Sequence, residues 1–418
     1  MDISRIIADL KDCPCGREHT APGMRVEIGP NLLEKTSELL GDFPRELLVV
    51  ADRNTLAASE GIMEILAESG FSCTLKCYDD MRTANSEDVE LIAALARGCG
   101  GVLSVGTGSL NDICRLASYE AGKPFAIFAT APSMDGFASN TAPITYANFK
   151  KSILCHAPTV IIGDTRILAR SPALLKAAGF GDMIAKYVAL TDWRIANLTD
   201  GEYHCPRVAA ITKAGLEKVM ALAGQVQEES PEAAAALMEG LVLTGLAMTL
   251  TNLTRPASGA EHVLAHFWEI KKLEQGKPSD FHGKKVGVAT LMTAELYHKI
   301  ARSDIRFHAD ATNWDAVYEA YGKNFVDDIK TLNDPTPTSN IDPAVLAEQW
   351  PQIKEIIKEE LPPYEDLLAL MQKAGAATTI EEIDIDPALA DTGVKYHSYM
   401  RERINLSRLI PMMTVKGR

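Results

Sequence analysis

The sequence predicts an α/β N-terminal domain with a parallel sheet and an all-α C-terminal domain, because its two halves carry different patterns. In residues 1–165, short apolar runs rich in β-branched residues alternate with amphipathic stretches, as in a parallel sheet covered by helices. In residues 166–418 those runs stop, and long segments rich in Ala, Leu, Glu and Lys replace them. A chain of 418 residues can form two domains, each with its own core.

Hydrophobic periodicity assigns the individual elements. The predicted strands are 25–29, 46–51, 72–78, 102–105, 125–129 and 159–163. The predicted helices of the first half are 30–40, 57–69, 87–97 and 109–121. Those of the second half are 181–199, 207–227, 231–253, 259–275, 283–302, 312–321, 343–359, 363–374 and 391–409.

Composition excludes some classes of function. The net charge of −14 argues against a nucleic-acid partner, which needs a basic face. The sequence shows no run of 18 apolar residues and no signal-peptide pattern, so we expect a cytoplasmic protein without a membrane partner. Eight scattered cysteines fit reduced thiols better than a disulfide framework.

One cluster of cysteines is close in sequence. Cys13-Pro14-Cys15-Gly16 is followed by His19, which gives three candidate metal ligands within seven residues. A zinc site normally has four ligands, and the sequence offers no fourth nearby. A turn that carries two free thiols is therefore the favoured interpretation.

The strongest local signal is the segment 101–140. A buried strand breaks at Gly106-Thr107-Gly108, and a helix follows with Ser109, Leu110, Asn111 and Asp112 in its first turn. Glycines at such a turn let the backbone approach a ligand, and the helix N-terminus offers free N–H groups to a phosphate. The pattern is consistent with a Rossmann-like dinucleotide site and equally with an ordinary tight turn.

Asp52 ends the second predicted strand, before Arg53-Asn54-Thr55. An acidic residue at this place often binds the adenosine ribose of a dinucleotide. The alternative is a helix N-cap, which sequence alone slightly favours.

Histidines in the second half point to a metal. His262 and His266 lie four residues apart, so both project from one face of a predicted helix. His282 lies at the predicted start of the next helix, and Asp182 follows two glycines and opens another. Imidazoles and a carboxylate that leave a coordination position open suit a catalytic divalent metal, although Asp182 alone can be a helix cap. The spacing by itself suggests that His262 and His266 both ligate it.

Five motifs in one order resemble the glycerol dehydrogenase and dehydroquinate synthase superfamily. They are GTGSLND, TAPSMDGFAS, GFGDMIAKY, SGAEH and FHG. Within it the chain is most similar to the bacterial sn-glycerol-1-phosphate dehydrogenases, over residues 13–409, including the segment CPCG and the tail HSYMRERINLSRL. The resemblance implies the dehydroquinate synthase-like fold.

The resemblance also implies roles for single residues. The cofactor would contact Asp52, Gly106, Gly108, Ser109, Leu110, Asn111, Asp112, Thr130, Ser133 and Ser139. The metal ligands would be Asp182, His262 and His282, whereas His266 would contact the substrate, as would Asp135 and Asp182. Asp135 and His266 are thus the candidate catalytic residues beside the metal. Lys186, Lys284 and Lys285 are candidates for a basic pocket.

The implied reaction is reduction of dihydroxyacetone phosphate to sn-glycerol 1-phosphate by a nicotinamide cofactor, with the metal acting as a Lewis acid. A carboxylate at Asp52 favours NAD, with NADP as the alternative. The ligand set accepts Zn²⁺, Ni²⁺ or Fe²⁺ and does not choose among them. The resemblance implies Ni²⁺ or Zn²⁺, because the bacterial members are associated with nickel and the archaeal relatives with zinc. A homodimer or higher homo-oligomer is expected. The alternatives are a glycerol or polyol dehydrogenase and a dehydroquinate synthase-like lyase.

Overall fold

The computed structural model describes residues 1–21, 23–146 and 149–416. The chain forms two compact units, one of residues 1–183 and 207–253 and one of residues 184–206 and 254–418. The predicted boundary at residue 165 divides the chain by its type of secondary structure, whereas the two units are defined by their internal contacts. That boundary stays a prediction.

The first unit is built on a six-stranded parallel sheet with the order β1-β8-β5-β4-β2-β3. The strands of this sheet are β1 Arg25–Gly29, β2 Glu46–Asp52, β3 Ser72–Tyr78, β4 Gly101–Gly106, β5 Phe125–Ala129 and β8 Val160–Asp164. Between β5 and β8 the chain forms a separate hairpin of β6 Thr141–Tyr146 and β7 Phe149–Leu154. All six predicted strands are present, shifted by at most one residue at an end. Their side chains are fully buried along β4 and β5, which explains the continuous apolar runs.

Two short antiparallel ribbons were not predicted. β6 and β7 form a two-stranded hairpin beside the sheet, and β9 Ile305–Phe307 pairs with β10 Met413–Val415 in the second unit. Polar residues interrupt β6 and β7, so neither has the apolar run that marks a buried strand.

Helices cover the sheet and form most of the second unit. In chain order they are α1 Ile3–Asp9, α2 Thr36–Leu40, α3 Arg53–Ala58, α4 Ile62–Glu68, α5 Ser86–Arg97, α6 Gly108–Glu120, α7 Thr165–Arg170, α8 Ala173–Ile184, α9 Lys186–Asp200, α10 Pro206–Ala221, α11 Pro231–Thr251, α12 Ala260–Glu274, α13 His282–Arg302, α14 Trp314–Tyr321, α15 Val326–Leu332, α16 Pro343–Glu360, α17 Tyr364–Lys373, α18 Pro387–Tyr396 and α19 Leu406–Leu409.

The helix predictions were accurate in the middle of the second half and less accurate elsewhere. The predicted helix 30–40 is helical only at Thr36–Leu40, and the predicted helix 207–227 ends at Ala221, before a 3₁₀ turn. Helices α11, α12, α13 and α16 match their predicted ranges within two residues. The predicted helix 57–69 is two helices, because Gly61 adopts a positive φ of 91° between them. The predicted helix 181–199 is the end of α8 followed by α9, and 391–409 is α18, a 3₁₀ turn and α19.

One helix, α11, is long and apolar enough to cross a bilayer by length and composition. However, 83% of its most apolar window is buried inside the protein. It packs on α7 and on the turn at Gly136–Ala138. These contacts are those of a core helix.

Candidate active site

The carboxyl ends of β2 and β4 define a place for a nucleotide in the first unit. These strands are neighbours, with Val50 opposite Ser104. The strand that follows β2 in sequence, β3, lies toward one edge of the sheet, and the strand that follows β4, β5, lies toward the other edge. Ligands of open α/β sheets bind at such a switch point, outside the carboxyl ends of the strands. Asp52 and Gly106, two residues beyond that pair, stand at this edge.

The turn after β4 exposes the N-terminus of α6. Gly108 begins the helix at a φ of +36°, and a Cβ on Gly106 would lie 2.5 Å from the Leu110 side chain. A side chain at either position would disturb the turn. The N–H of Leu110 donates to the Thr107 carbonyl at 3.1 Å, so Gly108 and Ser109 carry the N–H groups that an anion at this helix N-terminus would contact.

Side chains fix this turn to its neighbours. The Thr107 hydroxyl lies 2.6 Å from the Ser133 hydroxyl, so Thr107 links the turn to the loop after β5. The Ser109 hydroxyl donates to the Arg82 carbonyl at 3.0 Å. Ser104 donates to the buried Asn111 amide oxygen at 2.7 Å. Asn111 therefore faces the sheet rather than the open edge.

Asp112 belongs to a buried ion pair that the sequence did not reveal. The Arg115 guanidinium lies 3.1 Å from Asp112 and also donates to the carbonyls of Gly136, Phe137 and Thr141. Burial raises the pKa of Asp112 to about 6, and the positive charge of Arg115 opposes that shift. The pair connects α6 to the loop that carries Asp135. Their spacing of three residues on a helix was the available signal.

The loop 130–139 is held tightly within the first unit. A Cβ on Gly179 of α8 would lie 1.9 Å from the Pro132 carbonyl oxygen, and one on Gly245 of α11 would lie 2.7 Å from that of Asp135. The Ser139 hydroxyl lies 2.8 Å from that of Thr141, and the backbone N–H of Thr130 donates to Gly106 at 3.3 Å. This packing fixes Thr130, Ser133, Asp135 and Ser139 relative to the sheet.

Asp52 is the N-cap of α3. Its Oδ1 accepts the N–H of Thr55 at 2.8 Å, its Oδ2 accepts that of Met81 at 3.3 Å, and Thr55 completes a capping box. The cap interpretation is therefore confirmed. A carboxylate has about four acceptor positions, so the ribose role stays a prediction.

The second unit brings three imidazoles together. His262 and His266 of α12 have ring centroids 6.3 Å apart. The His282 ring, on the first residue of α13, lies 5.3 Å from that of His262 and 5.6 Å from that of His266. The predicted shared face of α12 and the helix start at His282 are both present.

Glu261 orients one of these rings. Its Oε1 lies 2.6 Å from Nδ1 of His262 and accepts the Gly259 N–H at 2.8 Å. An ionised carboxylate only accepts, so Nδ1 carries the hydrogen and Nε2 presents its lone pair. Glu261 is fully buried near Asp192, whose pKa is raised to about 6 by burial and by the negative charge of Glu261. The Glu-His pair in SGAEH was the signal for this role.

Asp182 lies in the last turn of α8, not at the start of a helix as the sequence predicted. Its Oδ2 accepts the backbone N–H of Asp135 at 2.9 Å. Asp182, His262 and His282 each offer a ligand atom, and these atoms lie within 4.8 Å of one another. One carboxylate and two imidazoles fit a divalent metal with open coordination positions.

The candidate basic residues have different surroundings. Lys284 pairs with Asp280 and Lys285 with Glu269, whereas Lys186 donates to the Ala257 carbonyl at 3.0 Å. Arg403 donates to the hydroxyls of Ser258 at 2.9 Å and Thr254 at 3.1 Å. Lys186 and Arg403 thus both donate hydrogen bonds to the segment 254–258, which lies just before α12 in the chain.

The Arg403 guanidinium is a half-buried cation with unusual partners. Its hydrogen bonds reach hydroxyls rather than a carboxylate, and its Nε is buried without a hydrogen-bond partner. Burial and the nearby charges of Arg255 and Arg401 lower the pKa of Arg403 to about 9, so it stays charged at neutral pH. Arg255, by contrast, is paired with Glu202.

Residues 27–172 match the iron-containing alcohol dehydrogenase family. The chain is 30% identical to the glycerol-1-phosphate dehydrogenase, NAD(P)+, of Halalkalibacterium halodurans, with 94% of each chain covered. It is 29% identical to the enzyme of the same name from Geobacillus stearothermophilus, covering 94% of this chain and 93% of that one.

Solved structures share the fold. A probable glycerol dehydrogenase from Sinorhizobium meliloti superposes with a TM-score of 0.65 at 16% identity, covering 95% of this chain and 96% of that one. A maleylacetate reductase from Agrobacterium tumefaciens gives a TM-score of 0.60 at 12% identity, with 94% and 96% covered. The predicted dehydroquinate synthase-like fold is confirmed.

Proposed function

We propose, because the chain belongs to the glycerol-1-phosphate dehydrogenase family, that it reduces dihydroxyacetone phosphate to sn-glycerol 1-phosphate with NADH or NADPH. The observation that carries this proposal is the group Asp182, His262 and His282, whose ligand atoms lie within 4.8 Å of one another. The group occurs in a chain that matches enzymes of that name over nearly its whole length. The motifs that predict the site and the overall similarity thus point to one activity.

Asp182, His262 and His282 would hold one divalent cation, and Glu261 would keep His262 in the binding tautomer. Such a cation supplies Lewis acidity to the C2 oxygen of the substrate. Ni²⁺ and Zn²⁺ both suit these ligands, so metal reconstitution must choose between them.

The cofactor would bind at the carboxyl ends of β2 and β4. The N-terminal N–H groups of α6, at Gly108 and Ser109, would bind the pyrophosphate. The buried hydroxyls of Thr130, Ser133 and Ser139, on the loop after β5, would also contact the cofactor. Asp52 would accept hydrogen bonds from the ribose, which favours NAD over NADP.

Asp135 and His266 would orient the substrate for hydride transfer at C2. The backbone N–H of Asp135 donates to the Asp182 carboxylate, which holds the backbone of Asp135 next to a proposed metal ligand. His266 lies next to His262 and His282 without being needed to complete the ligand group. We therefore assign His266 to the substrate, although the spacing of His262 and His266 by itself suggests that both bind the metal.

Lys186 and Arg403 would bind the phosphate. Both contact the segment before α12, and Ser258 lies only four residues before His262. Four residues span at most about 14 Å, so this basic group stays close to the ligand helix. A cation with hydroxyl partners can accept a phosphate without first breaking an ion pair.

The test is NADH oxidation with dihydroxyacetone phosphate, before and after EDTA, with Ni²⁺ and Zn²⁺ added back separately. We expect EDTA to abolish the activity and one of the metals to restore it. Turnover of glycerol in place of the phosphate ester would instead support a glycerol or polyol dehydrogenase, which the structural similarity to a probable glycerol dehydrogenase favours as the second candidate. A reaction that regenerates NAD within each turnover would point to a dehydroquinate synthase-like lyase.

A cytoplasmic location and a homodimer complete the proposal. Fractionation of the producing cell tests the location, and light scattering of the purified enzyme tests the oligomer. The proposed partners do not include nucleic acid, because the chain carries a net charge of −14.

A further inference from the structure

We propose that Cys13, Cys15, His19 and Cys205 form a second metal site, a closed four-ligand centre that binds zinc. The sequence places three of these ligands within seven residues, and the fold supplies the missing fourth. Each of the four residues offers one ligand atom, and the four atoms lie within 4.8 Å of one another.

The spacing of the atoms fits a tetrahedral zinc ion. Zinc–sulfur bonds of about 2.3 Å place two tetrahedral thiolates about 3.8 Å apart, within the observed limit. The Cys15 sulfur already lies 3.2 Å from Nε2 of His19. Three thiolates and one imidazole are a common structural zinc set, and thiolates favour zinc over magnesium or calcium.

The His19 ring is oriented for coordination. Its Nδ1 lies 3.0 Å from the carbonyl oxygen of Leu250, in the last turn of α11. A carbonyl can only accept, so Nδ1 carries the hydrogen and Nε2 turns its lone pair toward the thiols. Metal-binding histidines typically have such a second hydrogen bond to a backbone carbonyl.

The backbone brings the cysteines together. The Gly16 N–H donates to the Cys13 carbonyl at 3.2 Å, and Gly16 has a φ of +77°, which turns the chain so that Cys15 comes close to His19. Cys205 directly precedes Pro206, the first residue of α10. In the first turn of that helix Arg207 donates to the Asp9 carbonyl at 3.2 Å, so the start of α10 lies against the N-terminal segment.

Burial indicates a structural role. Cys205 is 0%, His19 5% and Cys13 9% exposed. With four protein ligands the ion would have no position for a substrate or water, which separates this centre from the three-ligand group. It would fasten the N-terminal segment to α10 and α11, in the way that zinc stabilises small folded segments.

The experiment is metal analysis of the purified enzyme, using Cys205→Ser, His262→Ala and the control Cys77→Ser, an exposed thiol outside the cluster. We expect Cys205→Ser to lose about one zinc ion per chain while keeping the metal of the histidine group. His262→Ala should lose only the other metal, and Cys77→Ser neither. Equal zinc content in Cys205→Ser and the unmodified enzyme would overturn the proposal.

Two further measurements do not depend on the folding of that variant. A mercurial reagent should release zinc from the unmodified enzyme, because mercury displaces zinc from thiolates. His19→Cys should keep the ion with four thiolates. Absence of zinc release, or an intact mass two hydrogens lower that marks a disulfide, would refute the site. Neither readout requires the dehydrogenase activity, so this proposal and the proposed function can fail separately.

Discussion

The two proposed metal-binding groups differ in the number and type of the ligands that they offer. Asp182, His262 and His282 offer three ligands of mixed chemistry, and the cysteine group offers four, three of them thiols. A three-ligand set leaves a position for substrate, whereas a four-ligand set is complete without one. Ligand count and thiol content thus distinguish a proposed catalytic centre from a proposed structural centre within one chain.

Replacing His262 by Ala should have the largest effect on activity. It removes a ligand of the incomplete group, so we expect activity to fall at least about 1,000-fold, since Lewis acidity contributes several kcal/mol to the barrier. NADH binding, measured by fluorescence titration, should persist. His308→Ala, at a half-buried histidine whose Nε2 lies 2.9 Å from the Thr414 hydroxyl, is the control and should keep full activity. Full metal content in His262→Ala would show that His262 is no ligand.

Glu261→Gln should weaken metal binding at the histidine group and leave the cysteine group unchanged, because the Glu261 carboxylate contacts His262. Loss of the charge beside Nδ1 should weaken binding of the catalytic metal roughly 10- to 100-fold, measured by competition with a chelator. Glu274→Gln, on the same helix, should leave the affinity unchanged. An unaltered affinity in Glu261→Gln would assign Glu261 to packing alone.

Arg403→Gln tests the proposed contact between Arg403 and the phosphate of the substrate. Loss of a charged hydrogen bond of about 1.5–3 kcal/mol should raise KM for dihydroxyacetone phosphate about 10- to 100-fold, with little change in KM for NADH. Arg401→Gln is the matched control, since Arg401 donates to the Met400 carbonyl instead. Parallel increases in both KM values would argue against a phosphate contact.

Asp52→Ala should have the smallest effect, because it touches neither metal group. Loss of the cap should lower the free energy of unfolding by about 1 kcal/mol, and loss of the ribose contact should weaken NADH a few-fold. Denaturant unfolding and cofactor titration measure the two effects. Asp79→Ala, at an exposed neighbour paired with Arg53, should change neither. Lower stability with unchanged NADH affinity would leave Asp52 as a cap only.

The sequence predicted features that depend on neighbouring residues. The parallel strands appear as apolar runs because both faces of the sheet are buried, and the turn at Gly106–Gly108 follows directly from its glycines. The shared face of His262 and His266 follows from helical periodicity. Periodicity cannot distinguish a metal ligand from a substrate contact. The resemblance to the family supplies that distinction, because it implies a substrate contact for His266.

Features that depend on distant residues were missed. Cys205 lies far along the chain from Cys13, and nothing in its local sequence except the following proline marks it. Asp182 was placed at a helix start because the glycines before it look like a break, whereas Gly179 serves the close packing of α8 on the loop after β5. The role of Arg403 depends on hydroxyls in another segment.

Gly179 and Gly245 leave no room for even one methyl group against the loop 130–139. A single-base change from glycine to alanine at either codon would therefore push the backbone that carries Ser133 and Asp135. We expect such alleles to be temperature-sensitive, with normal metal content and a correctly assembled ligand set, but a short lifetime at elevated temperature. Genetic screens for conditional loss of the enzyme would thus find mutations at these inert positions as well as at the chemical ones.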